Sequence, residues 1–202
     1  MMYARTRRAL KITMTALLTG LMTLSGALAS PLPETPGAAR TVKMFDLFCL
    51  EPVSDLDRIA EIANAGEFDE LTGRRRDAYQ PAVRAKKLRA WRFEDFGVEI
   101  ALTTALSDPD AQFKQDVPAF AKSESRACSL IMPAADEPKA ADILKEMTSL
   151  LTREPDEIWD QKPLRVHSWT GQTEDLLIIV YYYAPTQKGA KGLLSATTFV
   201  KN

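Results

Sequence analysis

The stretch Asp175-Leu176-Leu177-Ile178-Ile179-Val180-Tyr181-Tyr182-Tyr183-Ala184 is apolar at every position after the aspartate and rich in β-branched and aromatic residues. With a side-chain period of two, Leu176, Ile178, Val180 and Tyr182 point to one side and Leu177, Ile179, Tyr181 and Tyr183 to the other. Both faces are apolar, which is the pattern of a strand in the middle of a sheet or covered on both sides. Pro185 follows and ends it, since a residue without an N–H cannot continue a ladder.

The sequence on either side of this stretch reads as more strands. Leu164 to Thr170 precedes it, and Leu193 to Val200 follows after the turn residues Thr186 to Gly192. Upstream, Leu88 to Glu94 and Val98 to Leu106 form a hairpin around Asp95-Phe96-Gly97. Ala127 to Met132 adds a short buried strand stopped by Pro133. Between these runs, Asp136 and Pro138 open a helix with Ala140, Ile143, Leu144, Met147 and Leu151 on one face, and Pro155 stops it. Ser54 reads as the N-cap of an earlier helix carrying Leu56, Ile59, Ala60 and Ala63, closed by Gly66. Val42 to Leu50 fits one side of a short helix slightly better than a strand, and both types stay open. Ser107 to Glu124 is polar with scattered Phe113, Val117 and Phe120, a surface excursion with one helical turn. The expected fold is a single α+β domain over residues 42–202, with an antiparallel-rich sheet of about six strands and two or three helices packed on one face.

The start of the chain indicates where it works. Arg5, Arg7, Arg8 and Lys11 precede an apolar run over Ile12 to Leu24, and Ala27-Leu28-Ala29 supplies small residues at the spacing of a cleavage site. This is the pattern of an export signal cut after Ala29, too short for a membrane span. Arg7-Arg8 resembles a twin-arginine signal, so the general secretory route and the twin-arginine route both stand. Residues 30–41 hold Pro31, Pro33 and Pro36 and read as a flexible lead-in. The expected location is the periplasm or the exterior, with no membrane span in the mature chain.

Removing four basic leader residues from a chain with 26 basic and 27 acidic ones leaves a net charge of −5. Against that background, Arg74, Arg75, Arg76, Arg84, Lys86, Lys87, Arg89 and Arg92 accompany a single acid, Asp77. One reading is a patch that attracts anions: lipopolysaccharide, phospholipid head groups, cell-wall carboxylates or an acidic secreted protein. The other is a solvated segment balanced by the protein's own acids. Nucleic acid is an unsuitable partner after export.

Cys49 and Cys128 are the two cysteines. In an oxidising compartment a pair of this kind most often forms a structural disulfide, here tying the N-terminal segment to the sheet; two free thiols or a redox pair are the alternatives. No C-x-x-C spacing supports redox chemistry. Phe45-Asp46-Leu47-Phe48-Cys49 and Ala127-Cys128-Ser129-Leu130 resemble a group of small exported two-cysteine proteins of Gram-negative bacteria. That resemblance implies a shared fold and no known activity.

Candidate chemistry is sparse. His167 is the single histidine, which excludes a histidine-rich zinc site, and no G-x-S-x-G accompanies it. Gly189-Ala190-Lys191-Gly192 has the glycines and lysine of a phosphate loop without its spacing and joins two strands, so it reads as a hairpin turn. Glu94, Asp95 and Glu99 offer carboxylates for glycoside hydrolysis but sit at a hairpin end. Tyr181, Tyr182 and Tyr183, joined by Trp91, Trp159 and Trp169, would either pack in the core or line a groove. The expectation is therefore a non-enzymatic binding or structural protein without metal or cofactor. An envelope hydrolase acting on peptidoglycan or an ester through Glu94, Glu99 or His167 is the alternative, and an inhibitor or immunity-type protein of a secreted partner is a third.

Overall fold

A computed structural model describes residues 37–80, 84–134, 137–187 and 189–201. The export signal expected at residues 1–29 lies outside them. Among the described residues one sheet of eight antiparallel strands runs in the order β1-β2-β3-β4-β8-β7-β6-β5. The strands are β1 (Asp69–Glu70), β2 (Lys87–Asp95), β3 (Val98–Ser107), β4 (Glu124–Ala134), β5 (Glu157–Gln161), β6 (Leu164–Gln172), β7 (Leu176–Pro185) and β8 (Lys191–Val200). Helices α1 (Ala38–Phe45), α2 (Leu56–Ala65) and α5 (Glu137–Leu151) are the three longer ones, and α3 (Gly73–Asp77) and α4 (Ala111–Asp116) are short. The α+β class and the antiparallel sheet are as expected, but the strand count is eight and not about six.

The two additional strands are the edges. β1 has two residues, and β5 reads Glu-Ile-Trp-Asp-Gln with all five residues exposed. Neither carries an apolar alternation, because an edge strand is held by backbone pairing to its one neighbour and buries little. β7 sits inside the sheet between β6 and β8, and its ladder reaches Pro185, which pairs with Leu164 before the chain turns away. The β2–β3 hairpin turns through Phe96 and Gly97, both at positive φ (51° and 76°), the geometry of a tight two-residue turn.

The first helix starts at Ala38, so the last four residues of the expected lead-in are helical. A π-helical turn, Asp46–Leu50, continues it and carries the fully buried Cys49. The N-cap of α2 is Asp55 rather than Ser54, and its carboxylate accepts the Arg58 N–H at 3.0 Å. Arg40 on α1 pairs with Asp95 at 2.6 Å through two hydrogen bonds, which fixes the helix to the β2–β3 turn.

All three long helices bury their apolar stripes on one sheet face. Val42, Phe45, Ile59, Ala63, Ile143 and Met147 join Trp91, Leu102, Leu130, Leu194, Val180, Tyr182 and Trp169 in one core cluster. Two polar atoms of that core find backbone partners: the Tyr182 hydroxyl donates to the Ala140 carbonyl at 3.2 Å, and Trp169 Nε1 donates to Arg153 O at 3.1 Å. The Cys49–Cys128 disulfide lies in the same layer, with both residues fully buried and 79 residues apart in sequence. It joins the π-helical turn to β4 in the middle of the sheet.

Closing a loop of that length restricts the unfolded chain by about 4.5 kcal/mol in the loop-entropy account. Reduction, or replacement of both cysteines by alanine, is expected to lower the unfolding free energy by roughly that amount. Urea unfolding with and without reductant measures it; a loss below about 1 kcal/mol would mean that packing alone holds the helical layer.

Candidate functional site

The helices leave the other face of the sheet open, and the register determines what stands there. Thr103 pairs with Ser129, Ser129 with Ser195, Ser195 with Tyr181, and Tyr181 with Ser168. One row of hydroxyl-bearing residues therefore crosses five strands. The neighbouring row is Ala105, Ala127, Thr197 and Ile179, read from the same pairings. Small side chains in the middle strands leave volume above the pleat, and larger ones surround it.

The result is a cavity of about 710 Å3. Leu88 near one end of the sheet and Gln161 and Leu164 near the other line the same space, so the sheet curls around it. Phe113 on α4 stacks on Phe199 with ring centroids 4.1 Å apart, and with Phe120, Leu177 and Ile179 it forms a second, smaller apolar cluster at one end. The polar excursion expected at Ser107 to Glu124 thus closes an end of the cavity. Asp110 begins α4 by accepting the Phe113 N–H at 2.7 Å. Tyr79, just after the basic helix α3, lines the rim.

The three tyrosines divide between the faces. Tyr182 is core, whereas Tyr181 and Tyr183 line the cavity. Burial, together with Tyr183, Glu157 and Asp110 nearby, pushes the Tyr181 phenol up to about 12, so it stays neutral and can donate a hydrogen bond. Burial also raises Tyr183. Trp91 and Trp169 belong to the helix-side core; Trp159, on the edge strand, meets Tyr181 edge to face at 6.3 Å. The hydroxyls of the central row satisfy one another: Ser129 Oγ donates to Ser195 Oγ at 2.9 Å, and Ser195 Oγ donates to the Cys128 carbonyl at 3.4 Å.

The basic segment is largely matched by acids. Arg75 pairs with Asp69, Arg76 with Asp77, Arg89 with Glu70, and Arg92 with both Asp69 and Glu99. Lys86 reaches Asp108 at 2.8 Å and Glu124 at 3.3 Å; these hydrogen bonds raise its pKa. Exposed pairs of this kind contribute little to stability, but they cancel much of the local field. Arg74, Arg84 and Lys87 pair with no carboxylate among the described residues.

The candidate hydrolase residues are not brought together. Glu94 and Glu99 face each other across the exposed end of the β2–β3 hairpin, and Glu99 pairs with Arg92. His167 is 5% exposed on β6, on the helix side, stacked on Tyr182 with centroids 6.0 Å apart. Four strands separate β2 from β6 in the sheet, and none of these three residues lines the cavity. Among the described residues no group of three or more potential ligands could hold a metal ion.

The residues missed in the sequence are the small ones of the cavity floor and Lys191 at its end. Their signal was present: Ala101, Thr103 and Ala105 alternate with Ile100, Leu102 and Thr104, and Ala127 and Ser129 with Cys128 and Leu130. A face of Ala, Ser and Thr reads equally as a solvated face, and only the register places it around one space. No family model, curated protein or solved structure matches the chain.

His167 generates a pH prediction. Among the described residues its Nδ1 has no partner, and burial, with the Arg165 charge as a second cause, lowers its pKa below the usual value of about 6.5. The unfolded chain then binds a proton at a higher pH than the folded one. The stability contribution is complete above about pH 6.5 and is lost as pH falls from there through the lower folded pKa. His167→Phe keeps the ring against Tyr182 and is expected to flatten that part of the decline, with little change at pH 8. Chemical denaturation across pH 4.5 to 8 checks it; parallel curves for the two proteins would remove His167 as the cause.

Proposed function

We propose that the chain is an exported, non-enzymatic binding protein whose ligand seats in the cavity on the open face of the sheet. The observation that carries this reading is the cavity itself: about 710 Å3, on a sheet face without a helical layer, lined among the described residues by eleven apolar side chains, three tyrosines and eleven polar or charged residues. That volume is in the range of a small-molecule site, and the mixed lining suits a ligand with both apolar and polar parts. Export is supported by the leader pattern and by the disulfide, which suits an oxidising compartment. No helix among the described residues is long and apolar enough to cross a membrane. The separation of Glu94 and Glu99 from His167 weighs against the hydrolase alternative.

The test is binding of a neutral apolar reporter, N-phenyl-1-naphthylamine, followed by its fluorescence. Saturable binding is expected in the oxidised protein. Ala127→Phe and Ala105→Phe, each placing a ring on the cavity floor, are expected to abolish it while a cooperative unfolding transition remains. Non-saturable binding, or binding indifferent to both substitutions in folded variants, would overturn the reading.

Contact with an anionic envelope component through the basic segment is the second reading, favoured by Arg74, Arg84 and Lys87, which pair with no carboxylate among the described residues. Substituting these three by alanine is expected to remove salt-sensitive cosedimentation with anionic vesicles. Unchanged cosedimentation would leave the segment as a compensated surface.

A further inference from the structure

We infer that the cavity takes a single-chain amphiphile with an anionic head, held with its head at Lys191 and its chain running along β8 toward Phe113 and Phe199. The inference rests on the proposed binding role of the cavity and names the class of ligand.

Shape is the first argument. Lys191, Leu193, Ser195, Thr197 and Phe199 alternate along β8 and all line the cavity. At about 3.3 Å per residue this column is roughly 26 Å long. An elongated ligand fits such a space, and the Phe113–Phe199 stack closes its far end with apolar surface. Along the walls stand Ile131, Ile179, Leu164 and Leu88. The Ser129 and Ser195 hydroxyls are already engaged with each other and with the Cys128 carbonyl, so the middle of the floor tolerates a chain that offers no hydrogen bonds.

Charge sets the direction. Among the described residues three formally charged ones line the cavity: Asp108, Asp110 and Lys191. Asp108 is engaged by Lys86 at 2.8 Å, and this contact lowers its pKa. Asp110 is engaged as the cap of α4. Lys191 is different: no carboxylate among the described residues lies within ion-pair distance of it. It is the uncommitted charge of the cavity, at the end opposite the two acids. An anionic head gains a partner at Lys191 and avoids Asp108 and Asp110, whereas a cationic head would have to displace Lys86 from Asp108. Beside Lys191, Gln161 and Tyr183 line the same end and supply amide and phenol groups for a carboxylate or phosphate oxygen.

The experiment measures displacement of N-phenyl-1-naphthylamine at pH 8 by dodecanoate, dodecyl phosphate and dodecyltrimethylammonium, each below its micelle concentration. Dodecanoate or dodecyl phosphate is expected to displace the reporter, and the cation to do so far less well. The tighter anion distinguishes a fatty acid from a phospholipid fragment as the source. Lys191→Ala is expected to weaken the anion about tenfold, the equivalent of one charge-assisted hydrogen bond. Lys191→Arg should restore affinity, and Lys191→Glu should favour the cation. Equal displacement by anion and cation, or unchanged anion affinity in Lys191→Ala, would overturn the inference while leaving the cavity as a binding site. Failure of the reporter to bind at all would overturn the cavity reading itself, and the inference with it.

Discussion

A covalent bond between Cys49 and Cys128 joins the helical layer to the middle of the sheet, and the other contacts of that layer are arranged around it. Phe45 and Cys49 follow one another on the inner side of a helix that tightens into a π turn, so the sulfur is delivered directly over β4. The α1 end is held by Arg40 on Asp95, and Arg126 donates to the Ser54 carbonyl at 2.8 Å just before α2. With the layer held there, Trp91, Leu102, Leu130, Leu194 and Tyr182 form a continuous surface for Ile59, Ile143 and Met147. Burying that apolar surface provides the main driving force, and the bond restricts the alternatives open to the unfolded chain.

A single helical layer leaves a sheet with two different faces. On the helix side the middle of the sheet carries Leu102, Leu130 and Leu194; on the open side it carries Thr103, Ala127, Ser129 and Ser195. A flat sheet with such a face would be an ordinary solvated surface. Here it curls, and α4 and the residues after α3 stand at its rim, so small side chains become the floor of a half-open hollow. Fold and proposed site therefore follow from one asymmetry. The residues that make the floor lie on the strands that the disulfide and the core hold most firmly, while loops contribute only the rim.

The central elements were legible because each has its own local signal. β7 is apolar on both faces, α5 repeats its apolar residues at helical spacing, and Asp95-Phe96-Gly97 marks a tight turn. Other elements depend on partners. β1 and β5 have no apolar alternation and exist because β2 and β6 offer free edges. The basic segment read as a strong positive field, yet Asp69, Glu70, Asp108 and Glu124, drawn from elsewhere in the chain, pair with much of it. Charge counted along a sequence does not include neighbours that only folding supplies.

By itself, the sequence determined the α+β class, the six inner strands, the helices α2 and α5 and the two cysteines available to pair, since these depend on periodicity, turn chemistry and composition within short windows. Only the tertiary structure decided which side of the sheet the helices cover, that Tyr182 is core while Tyr181 and Tyr183 line a cavity, and that Lys191 ends that cavity with no carboxylate partner among the described residues. The reason is register: a cavity is a relation among strands distant in sequence, and it takes form when their pairing aligns small residues in rows and the sheet curls around them.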